Sequence, residues 1–189
     1  VALTKVRGAG AEGLTLSSTA LTIANGLTLT DGNVTLASGH GVDFAATSDS
    51  NATMSNELLD DYEEGTWTPQ FSSSGYTYGY ANQVGFYTKV GRSVHIQGRL
   101  DTNSVSGSGT SSVGIIGLPY PTASSFEAGM TPMQAQWGSA TARVMLYIGP
   151  SRSYLTLYDN TISTNYASLK GNELGSNDGV IFTFSYVTD

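Results

Sequence analysis

The chain has 189 residues, of which 12% are charged and 23 are glycine; it has no cysteine and a net charge of −7. Charged residues reach only about half the share usual in soluble domains, and Ser, Thr, Asn and Gly take the polar positions instead, which favours β-structure rich in turns. This composition excludes a disulfide framework and a thiolate metal site, carries no basic footprint for nucleic acid or anionic lipid, and has no apolar run near the ~18 residues of a membrane span.

The charge is uneven. Residues 1–64 carry nine acids and two bases, whereas 65–189 carry six of each. The opening "VALTKVRGAG" has no long apolar stretch and does not read as a secretion signal. It starts without Met, as expected for a piece of a longer chain.

Short apolar–polar–apolar units then recur: Leu14-Thr15-Leu16, Leu21-Thr22-Ile23, Leu27-Thr28-Leu29, Val34-Thr35-Leu36 and Val42-Asp43-Phe44. Their starts are spaced by 7, 6, 7 and 8 residues, with turn dipeptides such as Asn25-Gly26 and Asp31-Gly32 between them. The period of two is that of a strand with one buried face. Each unit offers two side chains worth roughly 1.5–3 kcal/mol apiece when fully buried. Ordering seven residues of backbone costs roughly 7–14 kcal/mol. One chain alone does not close that balance, so neighbouring repeats and neighbouring chains must supply the missing contacts. The expectation is an intertwined homotrimeric β shaft over 1–50. Its core would be Leu14, Leu16, Leu21, Ile23, Leu27, Leu29, Val34, Leu36, Val42 and Phe44, with Thr15, Thr22, Thr28 and Thr35 outward. Ordinary hairpins on a monomeric sheet are the competing reading.

Residues 51–65 read as a neck. Met54, Leu58 and Tyr62 share one helical stripe, which Asn51 or Ser55 would cap and Gly65 would end. Asp60, Asp61, Glu63 and Glu64 crowd the end of that stripe, where the helix dipole disfavours anions. A short helix or turn is expected, with the acids as a solvated charge run in a linker rather than a glycosidase pair or a calcium loop.

From 66 to 189 the text is dense in short strands, expected at 66–71, 76–82, 85–90, 93–101, 113–117, 133–137, 143–148, 154–158, 166–169 and 180–187. Their separators are turn-like, among them Gly91-Arg92, Gly149-Pro150 and Asp178-Gly179. Val94, Ile96, Gly98 and Leu100 share one face, opposite His95, Gln97 and Arg99. Ile181, Thr183, Ser185 and Val187 alternate with Phe182, Phe184 and Tyr186. An all-β head, a sandwich of jelly-roll type, follows.

Candidate chemistry is sparse. His40 and His95 are the only histidines. On a three-fold axis His40 would gather three ligands; a turn histidine is the plainer reading. No GxSxG occurs, and the Gly/Ser-rich 107–114 lacks the Lys-Ser/Thr of a phosphate loop, so it reads as a flexible loop. No catalytic residue, metal or cofactor is expected. Tyr76, Tyr78 and Tyr80 fall on one face of a strand, and Trp137 precedes a Gly-Ser turn. Such aromatics suit the apolar sides of sugar rings and are the receptor-binding candidates; sandwich core or trimer interface is the alternative.

"LDDYEEGTWTPQF", "GYANQVGFYTKVGRSVHIQGRL", "GLPYP" and the terminal "FTFSYVTD" resemble a module of bacteriophage tail fibres and related receptor-binding virion proteins, marine phages included. The match is strongest over 59–100, and Gly-Thr-Trp-Thr-Pro is its most specific run. The resemblance implies a homotrimeric fibre end on the virion, outside the cell. It would bind a host cell-surface glycan or protein receptor without catalysis. A preceding region would attach it to other virion tail proteins. A polysaccharide-degrading tailspike-type enzyme and a bacterial carbohydrate-binding adhesin are the alternatives.

Overall fold

The computed structural model describes residues 28–44, 58–130, 134–136, 144–159 and 167–189. Leu14, Leu16, Leu21, Ile23, Leu27, Met54 and Trp137 lie outside them. The chain divides into two compact units, Val1–Leu36 and Ala37–Asp189.

In the first unit, described residues 28–36 are exposed and belong to no strand. The second unit is all-β. Its strands are β1 (Val42–Asp43), β2 (Leu58–Leu59), β3 (Tyr62–Trp67), β4 (Gln70–Ser72), β5 (Tyr76–Val90), β6 (Ser93–Gly107), β7 (Gly114–Ile116), β8 (Ala128–Met130), β9 (Gln134–Gln136), β10 (Val144–Ile148), β11 (Tyr154–Asp159), β12 (Ala167–Ser168) and β13 (Gly179–Val187). A single 3-10 turn, Gly171–Glu173, is the only helical element among the described residues.

All pairings are antiparallel. One large sheet has the order β3-β5-β6-β13-β9, the other β4-β7-β11-β10-β8 with β12 added on β11, and β1 with β2 forms a separate two-stranded sheet. Inward side chains of both sheets form one core. Val94, Ile96, Leu100, Phe182 and Tyr186 come from the first, and Phe71, Ile115, Leu146, Leu155 and Leu157 from the second. The alternation read along β6 and β13 is thus the alternation of core and solvent.

Besides the extension of the expected strand 93–101 to Gly107 and the unexpected β8, three features of this unit depart from the sequence reading. First, Leu58 and Tyr62 sit in strands β2 and β3, not on a helix, and β3 is an edge of the five-stranded sheet. Tyr62, Glu64 and Thr66 alternate with Glu63, Gly65 and Trp67. Pairing with β5, from Tyr62↔Val90 to Trp67↔Gly85, satisfies the backbone without placing Asp60, Asp61, Glu63 and Glu64 at the negative end of a helix dipole. The sheet therefore begins before residue 66. β1 and β2 also tie 42–43 to 58–59, across the expected shaft–neck boundary.

Second, the expected strand 66–71 is two strands. β3 ends at Trp67, β4 starts at Gln70 in the other sheet, and Thr68-Pro69 carries the chain across. Proline has no N–H to give to a ladder, so it suits the crossing point.

Third, the two strands expected at 76–82 and 85–90 are one 15-residue strand. With β6 it forms a hairpin whose two-residue turn, Gly91-Arg92, has Gly91 at φ +53°. Glycine in the left-handed region at the first turn position matches the twist of the flanking strands. The register shifts on both sides of Tyr80. This bulge changes which β5 residues point inward, from Tyr78 and Tyr80 to Gly85, Tyr87 and Lys89.

A row across four strands shows how the five-stranded sheet packs. Trp67 pairs with Gly85, Gly85 with Gly98, and Gly98 with Phe182. The two glycines leave room over which the two aromatics fold. A Cβ on Gly85 would lie 2.5 Å from Trp67 Nε1, and one on Gly98 would lie 2.4 Å from Phe182 Cζ. The rings meet edge to face, with centroids 6.2 Å apart. The indole N–H donates to the carbonyls of Phe86 (3.2 Å) and Gln97 (3.1 Å), so its one polar group is satisfied in the core.

Candidate functional site

The tyrosine row of β5 lies on one face, as its spacing requires, and that face turns toward the second sheet. Tyr78 and Tyr80 pack against the core, with the Phe71 ring 5.8 Å and 6.3 Å from theirs. The Tyr80 hydroxyl accepts the Phe71 N–H at 2.7 Å, pinning edge strand β4 to the long hairpin. Burial raises the pKa of both hydroxyls. Tyr76 stacks on Tyr78 and donates to the Gly109 carbonyl at 2.8 Å, anchoring the Gly/Ser-rich loop. These rings are used largely in holding the two sheets together.

The acids of the run are exposed, as expected, but Glu63 and Glu64 lie on strand β3 rather than in a linker, and three of the four acids have side-chain partners. Glu63 accepts hydrogen bonds from the hydroxyls of Tyr87 and Tyr120. Asp61 pairs with Lys89, whose side chain is only 8% exposed. The Lys89 ammonium also lies 5.4 Å from the Tyr120 ring centroid. Glu64 accepts the Tyr62 hydroxyl at 2.9 Å. The Tyr120 bond, and then the Tyr87 bond, hold the Glu63 carboxyl below its ordinary pKa. The same carboxylate drives the Tyr120 hydroxyl upward. Burial pushes Tyr186, which donates to the Tyr120 carbonyl at 2.9 Å, up to about 12. This cluster clamps the "GLPYP" loop onto β3 and β5. Sequence reasoning missed it because Glu63 and Tyr120 are distant in the chain and only the fold joins them.

His40 closes a turn, its N–H donating to the Ala37 carbonyl at 3.0 Å, with Gly39 at φ +79°. His95 lies on the outer sheet face. Its Nδ1 is 2.9 Å from Ser185 Oγ and its Nε2 3.2 Å from Thr183 Oγ1. Among the described residues, no three His, Cys, Asp or Glu side chains come together as metal ligands.

Two exposed apolar surfaces remain. One comprises the ladder positions, Leu29, Val34 and Leu36 in the first unit and Val42 and Phe44 in the second, each between 48 and 64% exposed in the single chain. The other is the outer face of the five-stranded sheet, where the sequence reading placed no site. A shallow depression of about 440 Å³ opens there between Val84, Phe86, Gln97, Arg99, Ile181 and Thr183. Phe86 is 53% exposed at its side. Asp101 orients Arg99 through bonds of 2.7 Å to both Nε and Nη2, and also accepts Asn82 Nδ2 at 2.7 Å. The alternation of β5 held the signal, but the bulge hid its phase.

No protein-family model and no curated protein matches this chain.

Proposed function

We propose that this chain is the receptor-binding end of a homotrimeric bacteriophage tail fibre. In this reading it attaches the virion to a host-surface glycan or protein without catalysis. The observation that carries the reading is the ladder. Five large apolar side chains at repeat positions are open to water in one chain, and an apolar surface of that kind calls for a partner. Three copies wound about one axis would bury them as an intertwined shaft, and the two-sheet unit would form a jelly-roll-like head.

The low charge, the absence of cysteine and the resemblance over 59–100 support the same reading. So does the commitment of Glu63, Asp61 and Glu64 to tyrosine and lysine partners, which leaves those carboxylates tied to structure rather than poised for sugar hydrolysis. Three weak sites on one rigid rod would gain avidity without any new contact.

The test is binding of the purified chain to a panel of bacterial surface polysaccharides and envelopes, with and without Leu29→Asp/Leu36→Asp. Binding that is lost when the double variant dissociates, with no new reducing ends, is expected. Polysaccharide cleavage, or equal binding by a monomeric variant, would refute the proposal.

A further inference from the structure

The outer face of the five-stranded sheet is polar along β6, with Ser93, His95, Gln97 and Arg99, but carries exposed apolar side chains along β3 and β5. An antiparallel sheet with one solvated side places polar residues outward. Here Tyr62, Val84, Phe86 and Val90 point out and are exposed. The charges among them are satisfied locally: Arg99 by Asp101, and Glu64 by the Tyr62 hydroxyl. Aromatic and arginine side chains with few other charges are the composition of an interface centre.

The chain connects this face to the last ladder unit through Asp60-Asp61, which join the separate β1-β2 pair to β3. Val42 pairs with Leu59 and Tyr62 pairs with Val90, after which Phe86 and Val84 follow along β5. Every one of these six is exposed. Exposed apolar side chains therefore recur from the last ladder unit into the head, with Asp60-Asp61 and the Glu64↔Thr88 pair between them.

We infer that the face built on Val84, Phe86 and Val90 packs against a second copy of this chain, so that the contact between copies continues from the ladder into the head. This rests on the homotrimer reading above. The dimensions suit it. Four strands about 4.8 Å apart and seven residues at about 3.4 Å each outline roughly 450 Å². That is over half of the roughly 800 Å² per partner in a stable interface. Val42, Phe44 and Leu59 extend it toward the remainder. The depression beside Phe86 gives a neighbouring side chain a place to enter.

The chain has no cysteine of its own, so single-cysteine variants report cleanly. Val84→Cys and Gln97→Cys, in the full chain, are labelled with a maleimide and compared with Ser153→Cys at an exposed bend. Light scattering gives the mass of the same samples. Labelling at least tenfold slower than the Ser153→Cys control is expected in the oligomer, rising to the control rate after dissociation. Control-rate labelling in an intact oligomer overturns the inference alone and leaves the face open to a receptor or another virion protein. A monomeric mass with fast labelling everywhere overturns the homotrimer reading as well.

Discussion

Gly98→Ala tests the packing of the head most sharply. At an ordinary exposed strand position, replacing glycine restricts the unfolded chain and stabilises by about 0.4–1 kcal/mol. Gly98 is different. The new methyl would lie 2.4 Å from Phe182 Cζ and 2.7 Å from Cε1. Phe182 is 1% exposed and already meets Trp67 edge to face, so its ring has no free direction. Overpacking of this kind costs roughly 1–3 kcal/mol. Set against the unfolded-state gain, the net is a loss of about 1–2 kcal/mol, or about 2–8 °C in Tm for a domain of this size. Urea denaturation followed by tryptophan fluorescence measures it. Phe182→Leu vacates the contested space, so the double variant should recover part of the loss, with a coupling of at least about 0.5 kcal/mol. A stabilised Gly98→Ala protein, or strict additivity with Phe182→Leu, would refute the Trp67–Gly85–Gly98–Phe182 row as a packing unit.

Other outcomes follow from the same contacts. Tyr80→Phe removes the acceptor of the Phe71 N–H and should cost about 1–2 kcal/mol in urea denaturation; a loss below about 0.3 kcal/mol would show that β4 is held by other means. Glu63→Gln tests the tyrosine clamp. The folded-state pKa of Glu63 lies below its ordinary 4.5, so the unfolded chain takes up the proton first as pH falls. The wild-type advantage over Glu63→Gln should then be full at neutral pH, begin to shrink near 4.5 and vanish below the folded pKa. Denaturation at pH 7 and pH 3 reads it, and a pH-independent gap would contradict the assignment. Lys89→Met removes the ammonium from Asp61 and from the Tyr120 ring while keeping the packed stem. It should loosen the "GLPYP" loop, seen as faster amide exchange there, and unchanged exchange would count against the clamp.

What the sequence made legible was local. The alternation of Val94, Ile96 and Leu100 against His95, Gln97 and Arg99 is visible because β6 keeps one phase, and β13 does the same. Gly91-Arg92 reads as a turn because only a tight connection fits between two apolar alternations. The misread features all turn on long-range pairing. Leu58 and Tyr62 match a helical stripe as well as a strand pattern, and only pairing with β1 and β5 decides between them. The bulge beside Tyr80 reverses the inward phase of β5, so one long strand looks like two. The Thr68-Pro69 crossing lies inside what reads as a single strand. The tyrosine row was legible as a face, but not the side of the sheet on which that face lies, and Phe71 and the second sheet determine that. The clamp on Glu63 needs Tyr120, which no local pattern brings near.

The account rests on the open ladder from Leu29 to Phe44 being covered by copies of the same chain. Light scattering coupled to size exclusion, run over a range of concentrations with circular dichroism on the same fractions, tests that directly. The predicted result is a mass three times that of one chain, falling in Leu29→Asp/Leu36→Asp. A single-chain mass at every concentration, with the full β-sheet spectrum retained, would contradict it.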